Sequence, residues 1–212
     1  SIRINEANGV HVYYVGDGNA AAFSTFDTTG WQSWPQLHDS DIQLDLGAFN
    51  SNRNTGNIFD FGWGIYNSTS HNVVGDSLYI VQLPNGEAKK FLVVNLDKDT
   101  AFNIQYSNLD NSNMQYVHVS KRDYQGKEFV YLNMDNNAVS DREPEANAWD
   151  MLFIKYAATD VVQEGVAAKT GIWINSGDSV NKVINADVNS DAGTGVYSAA
   201  LNAIGWNWQQ YD

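Results

Sequence analysis

Four histidines are the side chains of this 212-residue chain best suited to holding a metal or a haem iron. His11 and His118 fall within alternating segments, VHVYYV and YVHVS, and read as surface positions of strands. His38 and His71 fall instead in loops. Asp187, Asn189 and Asp191 are spaced D-x-N-x-D, which opens an oxygen-ligand loop for calcium. The pattern then departs, because Gly193 comes one place late and Ser198 stands where a bidentate Glu belongs; the same residues also make a solvated turn. Nucleophilic catalysis needs a Ser, Thr or Cys held by a positioned base, and no elbow motif of that kind occurs. With 25 Asp and Glu some carboxylates must meet by chance, so paired-carboxylate chemistry has no specific signal. The expectation is a protein that binds and does not catalyse.

Composition narrows the partners. A net charge of −13 with only 12 Lys and Arg, scattered along the chain, argues against nucleic acid and against an anionic membrane surface. Apolar residues make up 43% with seven Trp and eleven Tyr, too rich for disorder. There is no cysteine, hence neither a disulfide framework nor a thiolate metal site. No apolar run is long enough to span a membrane. The chain opens directly in strand-like sequence and stops among aromatics, which reads as part of a longer, secreted polypeptide.

The elements that must position these residues are strands. Ile2, Ile4, Val10, Val12 and Tyr14 alternate around Asn8-Gly9 and predict a hairpin over residues 1–15. Residues 16–60 read as a long functional loop with short strands near Trp31 to Asp45. From Ile58 to Tyr106 the pattern is a meander: FDFGWGIYN, a turn at HNVVGD, SLYIVQL and KKFLVVNL flanking Pro84-Asn85-Gly86, then AFNIQYSNL. Lys127 to Tyr156 is the stretch expected to organise the rest, as one wide hairpin. Phe129, Tyr131 and Met134 lie on its first arm, and Trp149, Met151, Phe153 and Tyr156 on its second. Trp149, Met151 and Phe153 would face the core, with Asp150 and Leu152 opposite. Thr159–Ala168 reads as a short helix or loop, Asn185–Gly195 as a polar tract, and VYSAALNAIGWNW as a helical turn before a last strand. SIRINEANGVHVYYV is echoed by GIWINSGDSVNKVIN, pairing Ile2, Ile4 and Val12 with Ile172, Ile174 and Val183. The fold class expected is all-β, antiparallel meanders and hairpins in two related modules.

YVHVSKRDYQGKEFVYLNM, then AWDMLFIKY with its W-D-x-x-F-x-x-Y pattern, then GIWIN resemble the opening of the HmuY-like haem-binding surface proteins of Bacteroidetes. DSLYIVQLPNGEAKKFLVVNL resembles that family's late hairpin. The order implies that residues 1–112 are the closing part of one module and 113–212 the opening part of a second, related module packed against it, the alternative being that the two form one compact unit. The resemblance also implies a secreted or cell-surface protein, with His38 and His71 as candidate axial ligands of a haem. The alternative is an adhesion or structural module of a large surface protein that contacts glycan or protein partners. Asp-Ser/Thr-apolar triplets are similar to the O-glycosylation acceptor pattern of Bacteroidetes and make Thr28, Ser77, Thr100 and Ser179 candidate glycan acceptors. Asn67-Ser68-Thr69 matches an N-linked sequon.

Overall fold

The computed structural model describes residues 1–98, 100–160, 165–180 and 197–207. The chain is all-β: among the described residues strands account for 41% and helical turns for 8%, none as long as seven residues. The strands are β1 (His11–Asp17), β2 (Gln36–Leu37), β3 (Gly64–Asn67), β4 (Asn72–Gly75), β5 (Ser77–Gln82), β6 (Ala88–Asp97), β7 (Ala101–Asn108), β8 (Gln115–Ser120), β9 (Tyr131–Asn133), β10 (Ala138–Ser140), β11 (Met151–Asp160) and β12 (Gly165–Ile174).

β1 to β8 form one antiparallel sheet. β7 runs along one edge of β6, and the other edge is shared by β5 and β4. β4 and β5 are therefore one long bent strand. Val74 faces Asn95 and Tyr79 faces Phe91, so the two partners fall one residue out of step around Asp76. β1 and β3 lie end to end along the far side of that strand, β2 borders β1, and β8 borders β7. Gly75 permits the bend, because a Cβ there would stand 1.8 Å from the Val93 carbonyl oxygen.

The period-two alternation of β5 and β6 gives both faces of the sheet an apolar set. On the inner face Val12, Tyr79, Val81, Phe91, Val93, Ile104, Tyr106, Val117 and Val119 pack with Phe49 and Trp63 from the preceding loops. On the outer face Leu78 and Leu92 are covered by Phe23, and Tyr13 meets the Trp31 ring edge-on at 5.0 Å. The long segment between β1 and β3 thus supplies lids to both faces, which is why it can carry little regular structure of its own. The β9–β10 hairpin lays Leu132, Met134 and Val139 on the inner face. β11 and β12 pair over their full length and form a second core with Tyr156, Ala158, Trp173 and Leu201, packed by Leu44 and Phe129.

The all-β expectation and most of the meander hold, and several local expectations are corrected. Residues 1–5 are not a strand; Asn8-Gly9 turns the chain after a single 3-10 turn, with Gly9 at φ 86, and leads into β1. HNVVGD is not a turn but contains β4, and the reversal lies just before it, where His71 takes φ 61. The stretch from Lys127 to Tyr156 is not one hairpin, since β9 pairs with β10 and β11 with β12. Strand, and not helix, covers the described residues of Thr159–Ala168. The strands on either side of position 112, β7 and β8, are paired in one sheet from Ser120 to Gln115. The internal echo is not structural: Ile172 and Ile174 lie on β12, whereas Ile2 and Ile4 lie outside any strand. Val183 and the tract Asn185–Gly195 lie outside the described residues.

The phase of β11 is inverted relative to expectation. Met151 and Phe153 are 55% and 78% exposed, while Leu152, Ile154 and Tyr156 face the second core. Both alternating sets are apolar, and contact with Leu44, Phe129 and Trp206 decides between them. Phe153→Ala should therefore leave the unfolding midpoint nearly unmoved, whereas Trp173→Ala should cost about 3–5 kcal/mol in urea unfolding. Equal losses would mean that β11 presents its other face. Gly75→Ala should cost at least about 1–3 kcal/mol, because the added methyl meets backbone and not a flexible side chain.

Candidate functional site

Three hairpin turns converge at one end of the inner face. They join β5 to β6, β7 to β8 and β9 to β10, and they line an open pocket of about 580 Å³ with Asn85, Glu87, Lys89, Asn108, Asn113 and Asp135. The turns are rich in Asn because tight reversals need positive φ, which Asn tolerates better than other side-chain-bearing residues: Asn111, Asn113 and Asn137 have φ of 67°, 51° and 54°.

The polar groups of this pocket are held in place from the core outward. The Tyr106 hydroxyl, buried beneath the pocket, donates to Asn137 Oδ1 at 2.8 Å. Asn137 Nδ2 donates to Gln115 Oε1 at 3.0 Å, and Gln115 Nε2 donates to Asn113 Oδ1 at 2.7 Å. Each link fixes which end of the next amide is the acceptor, so the relay leaves Asn113 with a donor to offer at the rim. Burial, and then the nearby Asp135 carboxylate, push the Tyr106 hydroxyl above its ordinary pKa, which keeps it a donor. On the opposite wall the nearly buried Lys89 ammonium donates to Asn108 Oδ1 at 2.7 Å and Glu87 Oε2 at 3.0 Å. Oriented amides, carboxylates and one pinned ammonium can recognise a ligand that both donates and accepts hydrogen bonds. They include no hydroxyl or thiol nucleophile beside a base. The turns PNGE, NLDNSNM and MDNNA are visible in the sequence, but not their convergence.

The four histidines are dispersed. His11 Nδ1 meets Gln36 Nε2 at 3.0 Å, and His118 Nδ1 meets Asn103 Oδ1 at 2.8 Å, as expected of strand surface positions. His71 Nδ1 meets the Tyr66 hydroxyl at 2.8 Å in the β3–β4 turn. His38 Nδ1 meets the buried Glu6 carboxylate at 2.5 Å and borders a smaller cavity of about 260 Å³ with Asp39, Asn50 and Arg53. His38 follows Leu37, which through Val12 is level with Val81, whereas His71 precedes Asn72. The β4–β5 strand separates those levels by roughly 30 Å at its usual rise per residue. The structure does not bring His38 and His71 together.

Of the candidate glycan acceptors, Ser77 is 3% exposed and its hydroxyl donates to the Gly62 carbonyl at 3.1 Å, so a glycan has no room there in the folded chain. Thr28 and Thr100 are half-buried and Ser179 is exposed. Asp187, Asn189 and Asp191 lie outside the described residues. Among the described residues no cluster of three or more His, Asp and Glu could hold a metal ion, and no helix is long and apolar enough to cross a membrane.

The His38 pair yields a pH dependence. Its hydrogen bond to Glu6 raises the His38 pKa, against the opposing effect of burial. A raised folded-state pKa stabilises fully below the unfolded value of about 6.5, and that contribution is lost as pH rises through the folded value. Chemical unfolding followed from pH 6 upward should show stability falling across that range, and His38→Ala should remove this component of the slope. A slope unchanged by the substitution would show that the pair contributes nothing.

No protein-family model, characterised protein or solved structure matches the chain.

Proposed function

We propose that this chain is a secreted or cell-surface binding module whose three-turn pocket takes a neutral, hydroxyl-rich ligand, a glycan being the chemical class that fits. The observation that carries the reading is the relay from Tyr106 through Asn137 and Gln115 to Asn113, which presents oriented amides to solvent. A sugar offers paired donors and acceptors at each hydroxyl and asks for that kind of rim. Net charge of −13 disfavours an acidic ligand over a neutral one. Exposed aromatic side chains elsewhere, Tyr116 at 71% and Phe153 at 78%, suit a module that also contacts protein or glycan neighbours.

The HmuY-like resemblance supports the surface location and the β architecture of this reading more than it supports haem. A haem with two axial histidines needs both imidazoles on one iron. His38 and His71 stand at different ends of the long strand, and each already has a polar partner.

Glycan-array binding of the wild-type chain is the test. Asn113→Gly, which keeps the positive φ of that turn, and Asp135→Ala remove rim groups without touching the core, and each should weaken retention by about tenfold, the worth of one well-placed hydrogen bond. Absence of retention on any glycan, or retention indifferent to both substitutions, would sink the proposal. A haemin titration belongs beside it: a Soret change abolished by either His38→Ala or His71→Ala would restore the haem reading.

A further inference from the structure

The large sheet ends in an edge that the protein leaves open. Native sheets blunt their edges with short strands, charged or proline residues, bulges or covering segments. β2 is two residues long. The edge of β3 is covered, since Tyr66 N–H donates to the Phe59 carbonyl at 2.8 Å and Phe61 N–H to the Gly64 carbonyl at 2.9 Å. β8 has six residues, QYVHVS, with no charge, no proline and no bulge.

The direction of its free backbone groups follows from one bond. Lys121 N–H donates to the Thr100 carbonyl at 2.7 Å, one position beyond the Ala101–Ser120 pair. Bonded pairs alternate along an antiparallel ladder. Val119, Val117 and Gln115 therefore bond to β7, while the N–H and C=O groups of Tyr116, His118 and Ser120 point away from it. Among the described residues nothing pairs with them. The two side-chain sets are equally distinct: Val117 and Val119 are buried on the inner face, and Tyr116 and His118 are exposed on the outer one.

We propose that β8 pairs antiparallel with β8 of a second copy of this chain, with His118 on the two-fold axis. The sequence around that residue reads the same in both directions, Val117-His118-Val119. Two-fold pairing about His118 sets Val117 opposite Val119 on the inner face, Tyr116 opposite Ser120 on the outer face, and Gln115 opposite Lys121 at the ends. Apolar meets apolar and no like charges meet, as an isologous contact requires. In a chain of net charge −13, this uncharged edge is also where two copies approach with little repulsion. A six-residue edge is small for a protein interface, so the dimer dissociates on dilution.

Sedimentation velocity from low micromolar to several hundred micromolar protein should show the mass rising from 23.5 kDa toward twice that value. His118→Pro removes an N–H that β7 does not use, and His118→Lys puts like charges on the axis. Both should stay monomeric at every concentration with circular dichroism unchanged. His118→Cys gives an independent reading, because the chain has no other cysteine and a bonded antiparallel pair holds its Cα atoms about 5.5 Å apart, within disulfide range. Oxidation should link it into a covalent dimer. A wild-type chain monomeric throughout, a dimer that persists in the lysine variant, or failure of the cysteine variant to cross-link would each overturn the proposal. Should His118→Pro fail to fold, the lysine and cysteine variants decide the matter alone.

Discussion

One buried guanidinium ties the two cores to each other. Arg3 Nη1 donates to the carbonyls of Gln43 at 3.0 Å and Leu44 at 3.3 Å, and Nη2 donates to that of Ser40. Nε faces Asp39 at 3.8 Å, and the guanidinium lies 5.3 Å from the centre of the Trp173 ring on β12. Lysine could not do this, because only a planar fork serves several carbonyls and stacks on an indole at once. Asp39 in turn accepts from the N–H groups of Ala48 at 2.7 Å and Ile4 at 3.0 Å, which seats Phe49 on the inner face. Burial lowers the Arg3 pKa and raises that of Asp39, and the attraction between the two opposes both shifts. Such pairs add little net stability, yet removing one partner costs about 3–5 kcal/mol.

What could be read from the sequence follows a physical boundary. SLYIVQL and KKFLVVNL around Pro84-Asn85-Gly86 are local signals, and they appear as β5, β6 and their turn. Phe23, Trp31 and Phe49 sit in a segment without periodicity, and nothing local says which face each will cover. β11 shows the limit most plainly. Trp149, Met151 and Phe153 make one alternating set and Leu152, Ile154 and Tyr156 another, and the choice between them was made by Leu44 and Trp206, far away in the chain. The candidate site failed to show for the same reason. Asn85, Asn113 and Asn137 were each readable as turn residues, but their meeting is a property of sheet order. Ser77 looked like an acceptor hydroxyl because a triplet carries no information on burial.

Buried charges of the two signs roughly offset each other. Lys89 is nearly buried between Glu87 and Asn108 at the wall of the three-turn pocket, Lys90 lies against the Phe26 ring at 4.5 Å, and the carboxylates of Glu6 and Asp39 are buried as well. The exterior keeps the acidic excess that the composition gives it. Selectivity on such a surface comes from oriented neutral dipoles and from uncharged edges, since a general field of one sign attracts cations without discriminating among them.

The contact of Arg3 with Trp173 also sets the reach of the fold's contacts. β3 to β8 are sequence neighbours joined by short turns. The segment that carries Phe49 is instead tied to residues at the start of the chain, and through Arg3 to β12 near the other end of the described chain. Contacts of such long sequence separation carry a loop-closure cost that a meander avoids, and a fold that leans on them folds more slowly than its sheet alone would.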